Sequence, residues 1–181
     1  MILAGDIGGT NTRLALFGHD LRTPVRLEVY ESRRHDGLEG LVEAFLSGCR
    51  MRIGSAGFCV AGPVVGGCAK GTNLPWDVGA RSLAELLGVE VHVINDLEAN
   101  GRGIAALLPA DLATLHEGDP RAFGNIGVIS AGTWLGQAYL AWDGYNHHVH
   151  ASEGGHADFA PRSELEFDLW RFVAAEHGHV S

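Results

Sequence analysis

The sequence predicts a mixed α/β protein: a first lobe of order βββαβαβα over residues 1–110, then the start of a second lobe, βββα, over residues 111–181. Three observations predict it. A glycine-rich polar turn between two short strands occurs twice, once near each lobe's start. The apolar spacing switches repeatedly between period 2 and period 3.6. And 26 of the 181 residues are glycine although the chain is 46% hydrophobic. That is about twice the usual glycine share, and in a globular composition it calls for turns or close backbone approaches.

The elements follow in order. Residues 2–6 are short and apolar and residues 12–17 alternate, with Ile7-Gly8-Gly9-Thr10-Asn11 between them at a hairpin's spacing. Residues 25–31 form a third strand candidate. Leu38, Leu41, Val42, Phe45 and Leu46 then recur at a helical period within residues 37–49. Residues 56–61 read as a strand closed by Gly62-Pro63, and residues 81–87 as a short helix capped by Gly88. A β-branched strand over 89–94 and a helix over 97–108 complete the first lobe. A charged, proline-containing segment over 109–124 is the linker candidate. The pattern then restarts, with strands over 125–130, 135–142 and 145–150. A helix over 163–177 follows, with Ser163 as N-cap and Glu166 as its capping-box partner.

Composition excludes several classes. With 13 Lys+Arg against 22 Asp+Glu the formal charge is −9. This argues against a nucleic-acid or anionic-membrane partner, because phosphate backbones are held by clustered positive charge. A small anionic ligand held by backbone amides stays open. No apolar run approaches the ~20 residues of a membrane span. The N-terminus lacks a basic region and reaches Asp6 at once, unlike a signal peptide. Cys49, Cys59 and Cys68 are odd in number and form no C-x-x-C, so they read as reduced thiols of a cytoplasmic protein.

Five motifs carry chemistry. In Asp6-Ile7-Gly8-Gly9-Thr10-Asn11, glycines let backbone amides approach a phosphate, Thr10 and Asn11 add side-chain donors, and Asp6 suits a hydrated Mg²⁺. An ordinary hairpin turn is the alternative. Ser130-Ala131-Gly132-Thr133-Trp134-Leu135-Gly136 repeats the device in the second lobe, so two such turns could clamp a polyphosphate. Ile94-Asn95-Asp96 sets a carboxylate at a strand's carboxyl end, where open α/β sheets bind ligands; a plain helix N-cap is the alternative. Glu153-Gly154-Gly155-His156 forms a tight loop whose polar ends suit the adjacent hydroxyls of a polyol. Thr72-Asn73-Leu74-Pro75-Trp76 adds a polar pair and an indole that either stacks on a sugar or packs.

These residues resemble the bacterial glucokinase family. The opening Leu3-Ala4-Gly5-Asp6-Ile7-Gly8-Gly9-Thr10-Asn11-Thr12-Arg13-Leu14-Ala15-Leu16 looks like that family's N-terminus. Ala61-Gly62-Pro63, Thr72-Asn73-Leu74-Pro75-Trp76, Ile94-Asn95-Asp96 and Glu153-Gly154-Gly155-His156-Ala157-Asp158-Phe159-Ala160-Pro161 follow in order. The resemblance implies a ribonuclease H-like (actin-like ATPase) lobe and ATP-dependent phosphorylation of the glucose 6-hydroxyl. It implies Asp96 as general base; Asn73, Asn95, Asp96, Glu153 and His156 on the sugar; and Gly8, Gly9, Thr10, Asn11, Gly132 and Thr133 on the nucleotide phosphates. Asp6 would hold Mg²⁺ through water. Glucose or a related hexose is the implied partner.

Two departures set limits. The family usually has glycine where this chain has Trp134, and glycine or another small residue at Ser130; a Cβ disfavours positive φ in such a turn. Family members also run well beyond Ser181, through an adenine-binding segment and a further sugar-contacting glutamate. The second lobe is therefore expected to leave an open sheet edge, buried by further chain or by a second copy in a homodimer. A non-catalytic sugar-binding remnant is the alternative reading. Gly101-Arg102-Gly103-Ile104-Ala105-Ala106 fits G-x-G-x-x-A but falls inside a helix, so it does not mark a dinucleotide site. His147, His148 and His150 alternate sides along a strand and read as solvated rather than metal-binding.

Overall fold

The hairpin that opens the chain seeds its main sheet. In a computed structural model, which describes residues 1–181 apart from 71–73, 120 and 133–134, the strands β1 (Ile2–Ile7) and β2 (Asn11–Phe17) pair antiparallel. β3 (Arg26–Glu31) pairs antiparallel with β2. Helix α1 (Leu38–Leu46) follows, and then β4 (Ser55–Val60), parallel to β1. Three two-residue strands, β5 (Val64–Val65), β6 (Cys68–Ala69) and β7 (Val78–Gly79), form a small separate sheet. Helix α2 (Ala80–Leu87) ends on Gly88 in the left-handed region (φ 65°), as its sequence requires. β8 (Val91–Asn95) pairs parallel with β4, giving the sheet order β3-β2-β1-β4-β8.

Alternation puts Leu3, Ile7, Leu14, Leu16, Phe58 and Val60 on one face of this sheet, all buried. Leu38, Leu41, Val42 and Phe45 of α1 and Leu83 of α2 cover them, each fully buried. Gly5 sits in the same layer because a Cβ there would stand 2.5 Å from the Phe58 ring. The buried core cluster runs from Leu3 to Val93.

Helix α3 (Asp96–Gly103) is shorter than its periodicity predicts. After Gly103 the chain tightens into a 3₁₀ turn over Ile104–Ala106, and a second such turn at Pro109–Asp111 follows. Two glycines in one short helix weaken its propensity, and Pro109 cannot continue it. Gly101 is buried, where a Cβ would stand 2.5 Å from Val149, so packing explains this glycine.

The chain divides into two compact units, Met1–Asn100 and Gly101–Ser181. In the second, β9 (Ile126–Ala131), β10 (Leu135–Trp142) and β11 (His147–Ser152) form an antiparallel meander. A 3₁₀ turn, Gly154–His156, leads toward α4 (Glu164–His177). Ser163 caps α4 by accepting from the Glu166 amide at 3.3 Å, while the Glu166 carboxylate accepts from the Arg162 amide at 2.5 Å. The capping box thus closes one residue earlier than the sequence suggests. Among the described residues, no helix is long and apolar enough to cross a membrane.

Candidate functional site

Three parallel strands end side by side in the first unit: Ile7 of β1 pairs with Val60 of β4, which pairs with Asn95 of β8. Ligands of open α/β sheets bind beyond such carboxyl ends. Asp6, the turn over 8–11, Gly62, Asn95 and Asp96 all lie along this edge.

Asp6 shares its face with Arg13 of β2 and Cys59 of β4, its register partners. Arg13 Nη1 donates to Asp6 Oδ2 at 2.8 Å, and the Cys59 thiol lies 3.8 Å from Oδ1. Arg13 and Asp6 are about half exposed, at 55% and 49%, so their ion pair is worth no more than about 1 kcal/mol and yields readily to a ligand. Burial, then the negative charges of Asp6 and Asp96, push the Cys59 thiol up to about 12. Cys59 is therefore a protonated thiol beneath two carboxylates, not a nucleophile.

The turn over residues 8–11 is closed by the Gly8 amide, which donates to the Asn11 carbonyl at 2.9 Å. Ser32, just beyond β3, reinforces it from the core side. Its hydroxyl donates to the Gly8 carbonyl at 2.6 Å and its amide to the Thr10 carbonyl at 2.9 Å. Nothing in the spacing of the sequence singles out Ser32, since it follows an alternating strand as any turn serine does.

Asn95, not Asp96, caps α3. Asn95 Oδ1 accepts from the amides of Leu97 (2.8 Å) and Glu98 (3.1 Å), and its Nδ2 donates to the Gly62 carbonyl at 2.9 Å. Gly62 has φ 129°, a conformation suited to glycine. The capping role considered for Asp96 thus falls to its neighbour. Asp96 Oδ1 accepts from the Leu97 amide at 2.9 Å, which steadies its carboxylate at the first helical position. Asn95 keeps one amide N–H for any ligand.

Glu153 and His156 belong to the second unit. They bracket the Gly154–His156 turn, with His156 Nε2 3.9 Å from Glu153 Oε2, and both are largely exposed. The turn needs its glycines for space: a Cβ on Gly155 would fall 1.8 Å from the Leu135 carbonyl oxygen, and one on Gly154 2.5 Å from Gln137 Oε1. Gly132 is exposed after β9; Thr133 and Trp134 beside it, and Thr72 and Asn73, lie outside the described residues. On β11, His148 pairs with Asp143 at 2.6 Å, His147 meets the Gly124 carbonyl at 2.9 Å, and His150 stacks on Tyr139.

Among the described residues no group of three His, Cys, Asp or Glu is placed to hold a metal. Mg²⁺ needs no such cage, because it is commonly held by one or two carboxylates, waters and substrate phosphates. Asp6, an oxygen donor at a half-open strand end, fits that partial role.

The mixed central sheet makes this an α/β protein, the fold class of its solved glucokinase neighbours. A glucokinase from an Antarctic psychrotroph shares the fold at TM-score 0.79, with 29% identity over 99% of this chain and 58% of its own. A glucokinase from Balamuthia mandrillaris, solved with glucose, shares the fold at TM-score 0.73 and 22% identity over 97% of this chain and 55% of its own. The family model Glucokinase matches residues 3–181. The chain belongs to the glucokinase family. It is 43% identical to a glucokinase of Nostoc punctiforme over 98% of its length and 53% of that protein's. It is 38% identical to a Synechocystis glucokinase over 99% and 55%. The chain spans about half the length of these curated relatives.

Proposed function

We propose that this chain supplies the sugar-binding and first phosphate-binding parts of an ATP-dependent glucokinase. The observation that carries the reading is Asp96 at the carboxyl end of β8, held at the first turn of α3, in a chain that matches the glucokinase family from residue 3 to 181. A sugar hydroxyl is a poor nucleophile until a placed carboxylate takes its proton. Asp96 accepts the proton of the glucose 6-hydroxyl as that oxygen bonds to the γ-phosphorus and the bond to ADP breaks. Asn73, Asn95, Glu153 and His156 hold the other hydroxyls, Asn95 with its one remaining N–H. The turn of Gly8, Gly9, Thr10 and Asn11, with Gly132 and Thr133, receives the phosphates. Asp6 would hold Mg²⁺ through water, and the ion, when bound, would supply charge neutralisation at the phosphates. The first unit reads as a ribonuclease H-like lobe, supported by the order β3-β2-β1-β4-β8 with β2 alone antiparallel to the other strands.

The test is Asp96→Asn in the gene-encoded protein. Turnover should fall by roughly 10²–10⁴, while calorimetry finds glucose binding within a few-fold of the parent. Turnover near the parent's removes Asp96 from the base role.

A further inference from the structure

Ser32 has no part in the chemistry just described, yet all its hydrogen-bonding groups are engaged at one place. It is fully buried, as is Thr12. Its amide donates to the Thr10 carbonyl (2.9 Å) and its hydroxyl to the Gly8 carbonyl (2.6 Å). A serine hydroxyl has one proton. With that proton committed to Gly8, the 2.9 Å contact between the Thr12 and Ser32 hydroxyls must run from Thr12 to Ser32. The Ser32 carbonyl accepts from Trp76 Nε1 at 3.2 Å, and Trp76 is itself buried.

This arrangement fixes more than the turn's position. Among the described residues no peptide bond is cis, and in a trans peptide each carbonyl points opposite to the N–H of the next residue. Turning the Gly8 and Thr10 carbonyls onto Ser32 turns the Gly9 and Asn11 amides away from Ser32. Backbone amides left open at a turn can line an anion-binding concavity. Without Ser32 the Gly8 carbonyl has lost a core-side donor, and the Gly8–Gly9 peptide, flanked by two glycines, is free to rotate.

We propose that Ser32 is a positioning residue for nucleotide phosphate: by holding the Gly8 and Thr10 carbonyls inward, it presents the Gly9 and Asn11 amides to the anion. This rests on the kinase reading above. Thr12 supports it by occupying the Ser32 hydroxyl's acceptor side, which leaves the proton to Gly8.

Ser32→Ala in the gene-encoded protein tests it, with steady-state kinetics, glucose calorimetry and thermal unfolding read together. The KM for ATP should rise about tenfold, the scale of one lost hydrogen bond, with glucose affinity within twofold and unfolding still cooperative. Thr12→Val, which removes the donor that anchors the Ser32 hydroxyl, should move the KM for ATP in the same direction by a smaller factor. It is the variant to read if Ser32→Ala does not fold. An unchanged KM for ATP in whichever variant folds, or equal losses for ATP and glucose, overturns the positioning role and leaves the kinase reading intact. A parent protein that binds no nucleotide overturns that reading instead.

Discussion

The two units solve the same problem with very different resources. The first buries a continuous cluster from Leu3 to Val93 between its sheet and α1 and α2. In the second, among the described residues, only Ala138 and Leu140 are buried apolar side chains, and α4 buries none. Leu165 and Phe172 of α4 stand 79% and 73% exposed. The difference reaches the site residues. Asp6, Asn95 and Asp96 sit on strand ends anchored in a core, with hydrogen bonds fixing each head group. Glu153 and His156 flank an exposed turn whose fit depends on two glycines against β10. Precision in the first unit comes from packing, and in the second from backbone contact.

Paired truncations are the strongest way to break this contrast. Phe45→Ala should cost about 3–5 kcal/mol, a fully buried ring lost from the core. Phe172→Ala should stay within about 0.5 kcal/mol, as for exposed positions generally. Denaturant unfolding of both variants measures the pair, and equal losses would end the distinction. A chemical probe sharpens the picture inside the first unit. Cys59, pushed up to about 12, should resist a thiol reagent near pH 8 while exposed Cys68 reacts; mass mapping after timed quenching separates them. Rapid labelling of Cys59 in folded protein would show that its cover opens.

The smallest effect belongs to the second unit. The Asn146 amide, the His148 ring and the Tyr145 amide hold the Asp143 carboxyl down to about 2 from 3.8. A lowered folded value means stability present above 3.8 and lost as pH falls toward about 2. Asp143→Asn should therefore differ from the parent at neutral pH and converge with it below about pH 2, followed by acid titration of the unfolding midpoint.

Much of the fold was legible because both periodicities are strong. The alternation of residues 12–17 and the helical spacing of Leu38, Leu41, Val42 and Phe45 each led to the observed element. What was not legible depends on contacts distant in sequence. The end of α3 at Gly103, rather than near residue 108, comes from glycine and proline propensities acting together. The three two-residue strands carry too few residues to show any period. At the candidate site, motifs located Asp6, Asn95 and Asp96. The division of labour, with Asn95 capping and bracing while Asp96 accepts from the Leu97 amide, needed coordinates. Ser32 and Cys59 were missed because each acts across more than twenty residues of chain, on Gly8 and on Asp6.

Asparagine at position 95 also sets a rule for sequence drift. The position demands an acceptor for two helix amides and a donor for the Gly62 carbonyl on one short planar head. Aspartate caps helices as well but would set oxygen against the Gly62 oxygen. Serine caps too, but has a single atom for both tasks. Among the residues common at helix starts, asparagine alone meets the two demands from separate atoms of one side chain.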